Sequence, residues 1–540
     1  MKSTSIALLA GLLLFSCKPK TDETEPVIST DDIKRHIVTM SADDFEGRRP
    51  FTNGETKTID YLVSEIKNLG LAPANGDSYL QDVPLVEITG TTSPVMELDG
   101  PNKLTLKLRE DFTAFTQRQV HEIKIENSEL VFCGYGVVAP EYGWNDFEGL
   151  DLRGKTALVL VNDPGLGQDD EAFFKGSAMT YYGRWTYKYE EAARQGATGI
   201  LIVHETTMAG YPWQVVNGMG AGSRLNLTDL GYTPCEMQGW VSLDATKQIF
   251  QTAGLDLREA MMAARKPGFK AMPLPYKINL TINNSIQTNT SKNVAAMIPG
   301  TDQKDEYIIF SAHWDHLGIG TPVDGDSIYN GAHDNASGTA ALLGIADALV
   351  KSGPHKRSIV FLWVTAEEQG LLGSGYYAAN PLFPPDKTVA NINIDGLNAN
   401  GVMNDLGIIG FGQCELEDYA ARWAKQQGRY IIPDQEPEKG YFFRSDHFNF
   451  AKIGIPALYA KGGSDHRLHG KEYAKEKQDE YRTNHYHQPS DEFNESTFDL
   501  GGIVQDAELY YLVAKELANS HDWPKWKEGS EFKAIREKKD

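Results

Sequence analysis

The sequence predicts an α/β protein: a mixed central sheet with helices on both faces, interrupted by a smaller second unit. Three observations carry this. The runs 307–310, 359–364 and 389–394 are short, largely apolar and bounded by polar or turn residues, the pattern of central strands covered on both faces. The run 340–350 has the apolar spacing of a helix and follows Asp334 closely. Between 129 and 270, further short apolar runs at 131–133, 156–161 and 199–203 surround one helical stretch near 187–196, enough for a separate α/β module. A chain of 540 residues, 41% of them hydrophobic, exceeds one ordinary core and suggests two or three domains.

Taken in order, residues 1–16 hold an early lysine and an apolar run from Ile6 to Phe15, too short to span a bilayer and shaped like a secretory signal. Leu14-Phe15-Ser16-Cys17 resembles a bacterial lipobox. That resemblance implies lipidation at Cys17, a polar tether over 17–27, and an exported lipoprotein, periplasmic or outer-membrane associated, meeting the membrane through Cys17 only. Residues 28–128 form the first part of the principal domain. Ser29 or Thr30 caps a helix burying Ile33, Ile37 and Met40, and a second helix from about Glu55 buries Ile59, Leu62, Val63, Ile66 and Leu69 before Gly70. The charged loop 44–55 between them is either a solvated turn or part of a site wall. The alternation Leu104, Leu106, Leu108 reads as strand.

The second unit occupies 129–270. A helix near 256–264 and the alternating Tyr276, Ile278, Leu280 and Ile282 lead the chain back into the principal domain, 285–520. Leu509, Tyr510, Leu512, Val513 and Leu517 stand at helical spacing and close that domain; the charged tail 521–540 is expected at the surface. The net charge of −22, from 74 acidic and 52 basic residues, argues against a nucleic-acid partner. Cys133, Cys235 and Cys414 lack metal-ligand spacing and read as buried thiols, with a Cys133–Cys235 disulfide left open.

Each apolar run ends at residues able to bind a metal. His313 follows the first, Glu367 and Glu368 the second, Asp395 the third. Open α/β sheets bind ligands outside the carboxyl ends of their strands, so these side chains gather there, with Asp334 at the start of the helix. His487 stands in Tyr486-His487-Gln-Pro-Ser-Asp491. Nitrogen with carboxylate oxygen is a donor set that suits zinc. Asp315, two residues after His313, is placed to accept the second ring N–H of His313. The histidines His316, His333, His447 and His485 lie close to these motifs in sequence but have no vacant role among the ligands.

These motifs resemble the twenty-eighth metallopeptidase family, the co-catalytic zinc exopeptidases that include leucyl-type aminopeptidases and glutamate carboxypeptidase. The resemblance implies two Zn²⁺, other divalent metals being admissible, with Asp334 bridging, His313 and Asp395 on one ion, Glu368 and His487 on the other, and Glu367 as general base. It also implies a cis peptide at Asp334–Asn335. Tyr441-Phe442-Phe443-Arg444-Ser445-Asp446-His447, followed by Gly454-Ile-Pro-Ala, resembles the family's substrate-pocket segment. Phe442 stands where some relatives place an oxyanion-binding tyrosine, with Tyr441 one step earlier. Arg444 either holds a substrate carboxylate or pairs with a local acid. The polar stretch 462–484 is long for a plain connection and suits a lid.

In the second unit, Gly134-Tyr-Gly-Val-Val-Ala-Pro-Glu-Tyr-Gly-Trp, 152–161 and 189–203 resemble a protease-associated (PA) domain, which implies a non-catalytic module that gates or extends a cleft, or a spacer. The tyrosine-rich stretch 181–189 lines that cleft or packs internally. The expected activity is hydrolysis of peptides, aminopeptidase first, with carboxypeptidase or dipeptidase as the rival on the same site. A catalytically silent binding or receptor protein, and a glutaminyl-cyclase-like acyl transfer, are the remaining alternatives.

Overall fold

The computed structural model describes residues 27–219 and 222–538. The expected signal segment and Cys17 lie outside them. Among the described residues, no helix is long and apolar enough to cross a membrane.

The principal core is built on a mixed sheet. Strands Arg357–Val364, Gln303–His313, Thr388–Asn393 and Ala457–Gly462 lie side by side and parallel. Antiparallel neighbours flank them: the end of Met272–Ile298 on one side, Asp405–Ile408 on the other. Every residue of Arg357–Val364 and Thr388–Asn393 is buried, as their apolar runs require of strands covered on both faces. Helices Thr30–Met40, Gly338–Ser352 and Leu500–Asn519 pack together over this sheet. Ser29 caps the first by accepting from Asp32 N. Gly338–Ser352 is buried along most of its length, which matches its nearly continuous apolar sequence.

A second core forms around the parallel strands Lys155–Leu160, Gly199–His204 and Met237–Ser242, with the end of Glu122–Phe132 beside them. It also recruits Met96, Leu98, Leu106, Phe112, Ile123 and Ile282. This core therefore starts well upstream of 129, because the edge strands around Val95–Asp99 and Phe112–Phe115 pair with the inserted sheet. Met272–Ile298, 27 residues long, is shared: its first part pairs with Glu122–Phe132 and its last with Arg357–Val364. Cys133, Cys235 and Cys414 are all free and buried, so the Cys133–Cys235 disulfide does not form.

One sequence expectation is corrected. The tail does not lie loosely on the surface: Trp526 and Phe532 are 3% and 2% exposed, because its aromatic residues, masked by surrounding lysines and glutamates, insert into the principal core. The stretch 462–484 is largely the helix Gly470–Asn484, of which only Ala474 is buried.

Candidate metal centre

The carboxyl ends of the parallel strands deliver the site. His313 is the last residue of its strand; Glu367 and Glu368 follow Arg357–Val364; Asp395 follows Thr388–Asn393. Asp334 precedes helix Gly338–Ser352, and the peptide Asp334–Asn335 is cis. His487 comes from the connection after Gly470–Asn484 and has φ +58°, a left-handed conformation unfavourable for a non-glycine residue.

Asp334 is the centre of the group. Its Oδ1 lies 3.3 Å from His313 Nε2 and its Oδ2 lies 3.3 Å from His487 Nε2. His313 Nε2 is also 3.4 Å from Asp395 Oδ1, and His487 Nε2 is 3.1 Å from Glu368 Oε2. Donors held about 2.0 to 2.1 Å from a tetrahedral ion stand roughly 3.3 to 3.4 Å apart, so these spacings are polyhedron edges as much as hydrogen bonds. The buried His487 Nε2 has no hydrogen-bond partner of acceptable geometry although two carboxylates face it, as a metal-ligating nitrogen would. The residues present therefore fit a divalent cation: His313, Asp334 and Asp395 form one donor group and His316, Asp334 and Glu368 another, with His487 facing the same two carboxylates.

The electrostatics point the same way. Burial works against a charged His313, yet Glu367, Asp334 and Asp395 outweigh it and raise the imidazole well above its ordinary range. Glu367 is pushed well above the usual carboxylate range, by burial first and then by Glu368, Asp395 and Asp446. Carboxylates this close relieve their repulsion by protonation or by a cation.

The supporting shell is built from backbone-directed side chains. Asp491 accepts from His333 N at 3.0 Å and Asp334 N at 3.1 Å, tying the His487 loop to the Asp334 turn. Asn335 Oδ1 accepts from Gly338 N and Gly396 N, and Asn335 Nδ2 donates to Ile394 O, so the helix start and the Asp395 turn move as one. Arg48, 1% exposed, donates to the carbonyls of Met40, Trp314, Asn330 and Gly331. Through Arg48 the loop 44–55 is tied to the carbonyls that neighbour His313 and Asp334, so it is more than a solvated turn.

Asp315 is placed differently from expectation. His313 Nδ1 faces the Asp315 backbone carbonyl at 3.1 Å, while the carboxylate is 3.8 Å away and accepts instead from Glu367 N and Glu368 N. The two-residue spacing puts the carbonyl nearer the ring than the side chain. Asp315 consequently positions the Glu367-Glu368 pair. His316, set aside at first, has its Nδ1 at 2.7 Å from Glu368 Oε1, and leaves Oε2 for the His487 side.

The expected substrate-pocket segment divides. Phe442, Ser445, Asp446 and His447 are buried and back the site rather than line open space: Phe442 packs against the His447 ring, Asn393 donates to Ser445 Oγ, and Ser374 donates to Asp446. Only Tyr441 and Arg444 of those named remain partly exposed. Tyr486, which sequence reasoning gives no role, stacks its ring on His487 at 3.9 Å and is 48% exposed. Its place beside His487 in the chain was the only signal available.

Comparison with known proteins decides the family. The stretch 293–512 matches peptidase family M28. These residues belong to peptidase family M28. The M28 stretch contains every candidate ligand and Glu367. The mouse protein "Aminopeptidase NAALADL1" is 35% identical over 138 residues, covering 24% of this chain and 17% of that protein. "Glutamate carboxypeptidase 2 homolog" of Caenorhabditis elegans is 23% identical over 513 residues, 81% of this chain and 60% of that one. The chain thus spans less than two thirds of these curated relatives. Among solved structures, the aminopeptidase from Aneurinibacillus sp. strain AM-1 superposes with a TM-score of 0.49 at 20% identity, covering 92% of this chain and 95% of the other.

Proposed function

We propose that this M28 protein is a zinc-dependent exopeptidase with two metal ions, acting first as an aminopeptidase. One observation carries the reading: Asp334 turns its two oxygens to two different histidines, each of which also faces a second carboxylate at 3.1 to 3.4 Å. Two bound zinc ions would supply Lewis-acid polarisation of the scissile carbonyl and a water acidic enough to lose its proton near neutrality. His313, Asp334 and Asp395 would hold one, and Asp334, Glu368 and His487 the other. Glu367 is not needed as a ligand. Its carboxylate takes the proton of the attacking water and returns it to the leaving amine.

The test is a panel of aminoacyl-p-nitroanilides beside their N-acetylated counterparts, with zinc-loaded protein. An aminopeptidase cuts the free-amine substrates and spares the blocked ones. Equal cleavage of both would overturn the assignment to the amino end.

A carboxypeptidase or dipeptidase reading has one observation in its favour. Arg184 is 8% exposed, its side chain makes no hydrogen bond among the described residues, and the Arg444 charge acts on it across the boundary between the units. Among the described residues, Arg444 donates only to Lys439 O, and it stacks on Tyr441. Two guanidinium groups without a carboxylate suit the free carboxylate of a short peptide. Comparison of Leu-Gly with Leu-Gly-amide tests it: preference for the amide would rule it out.

In the same reading the inserted unit is a PA domain, and Cys17 is the lipid attachment of an exported, membrane-anchored protein. Palmitate labelling that survives Cys17→Ala would contradict the anchor.

A further inference from the structure

Beyond adding Trp526 and Phe532 to the principal core, the tail 526–536 makes contacts that catalysis does not require. Trp526 pairs with Cys414 as an isolated bridge, flanked by Lys527 N→Gln413 O and Glu415 N→Lys525 O, and Trp526 Nε1 donates to Gly454 O. Gly454, the first residue of the Gly-Ile-Pro-Ala motif, has φ +84°, and a Cβ there would come within 2.9 Å of Arg536 N. That glycine is therefore required by the tail's close approach as well as by its turn. Arg536 donates onward to the carbonyls of Pro385 and Thr388 at the start of a central strand.

From this footing two neighbouring side chains reach opposite ways. Phe532, 2% exposed, packs against Phe442 at 5.9 Å and Phe448 at 6.2 Å, directly beneath the segment carrying Tyr441 and Arg444. Glu531 instead reaches the inserted unit: it pairs with Lys175 at 2.5 Å and accepts from Tyr181 N at 3.3 Å. Tyr181 completes the triangle, its ring 5.1 Å from Phe448. Close by, Met179 N donates to Pro437 O and Lys452 lies 3.5 Å from Glu190.

We propose that the tail is a clasp: Glu531 and Phe532 fix the inserted unit against the segment 437–448, and thereby hold in place the loop that carries Tyr441 and Arg444. Glu531 and Phe532 are positioning residues, distant from the reacting atoms. Without them, the inserted unit is held chiefly by the strand it shares with the principal sheet, and the loop bearing Tyr441 and Arg444 loses its floor.

The test uses the full chain with Glu531→Ala and Phe532→Ala, followed by hydrogen exchange in the native protein. In both variants, amides in 173–183 and 437–447 should exchange about tenfold faster or more, while those of Arg357–Val364 keep their protection. Glu531→Ala trims an edge contact and decides the matter if Phe532→Ala loosens the whole core. The charge-swapped pair Lys175→Glu with Glu531→Lys should restore protection, a rescue that mere loss of stability does not predict. Exchange in both segments within about twofold of the parent in Glu531→Ala would overturn the clasp. The kinetic arm rests on the peptidase reading: KM for a peptide rises severalfold and kcat holds. If no peptide is cut by any form, that reading fails while the exchange result still decides the clasp.

Discussion

Each oxygen of Asp334 answers a different imidazole, and the amide of the same residue is held by Asp491, so the bridging position is fixed from two sides. Removing the Asp491 carboxylate frees two consecutive amides in the turn. We expect Asp491→Ala to weaken zinc binding by about 10 to 100-fold, as loss of an outer partner does, measured by competition with a chelating dye; unchanged affinity would show the turn to be self-supporting. A second residue-scale prediction lies away from the metals. Burial and the Arg35 charge lower His36 to about 4 from its ordinary 6.5. The unfolded chain therefore binds the proton first: the stabilisation is full above about pH 6.5 and is lost as pH falls towards 4. Up to roughly 2 to 3 kcal/mol is at stake, and His36→Gln should flatten the acid side of a Tm-against-pH curve. His313, Glu368 and Asp395 were legible as candidate ligands because each follows an apolar run ending in a turn; Asp334, at a helix start, and His487, in a polar connection, took their roles from the resemblance. The roles of Asp315, His316 and Arg48 were not: they depend on which backbone atoms fold back within reach, and spacing along the chain does not encode that.

Among the elements, helix Gly338–Ser352 carries the constraint nearest the site. A Cβ at Gly338 would stand 2.2 Å from Asn335 Oδ1 and 2.8 Å from Ile394 O, the atoms that couple the Asp334 turn to the Asp395 turn. Gly338→Ala should then destabilise the protein by about 1 to 3 kcal/mol through overpacking and lower zinc occupancy, read by denaturant melts and metal analysis on the same sample. Stability and occupancy equal to the parent would mean the turns relax independently. The central strands were readable as elements because their residues are buried on both faces. The long strand Met272–Ile298 was readable only where it alternates, at Tyr276 to Ile282; beyond that its partners change and so does its pattern. The tail misled for a different reason. Its lysines and glutamates outnumber its aromatic residues, and two buried rings, Trp526 and Phe532, fall below what a charge-dominated stretch reveals.

On the scale of the molecule, two hydrophobic cores share one strand and are pinned together by the tail. The metals would sit wholly on the larger core. Chelation leaves Asp315, Asp334, Glu367, Glu368 and Asp395 crowded around the imidazoles alone, so calorimetry should show two transitions, with only that of the larger core falling, by roughly 5 to 10 °C. A single transition moving as a whole would mean that the shared strand and the clasp couple the cores completely. The central claim, that Glu367 is the base of a two-metal hydrolytic site, is tested most directly by leucyl-p-nitroanilide hydrolysis with the parent and Glu367→Gln, zinc content being measured on both. A fall of about 10² to 10⁴-fold in kcat with two zinc ions retained is the expected result. Activity within about threefold of the parent, at the same zinc content, would contradict it.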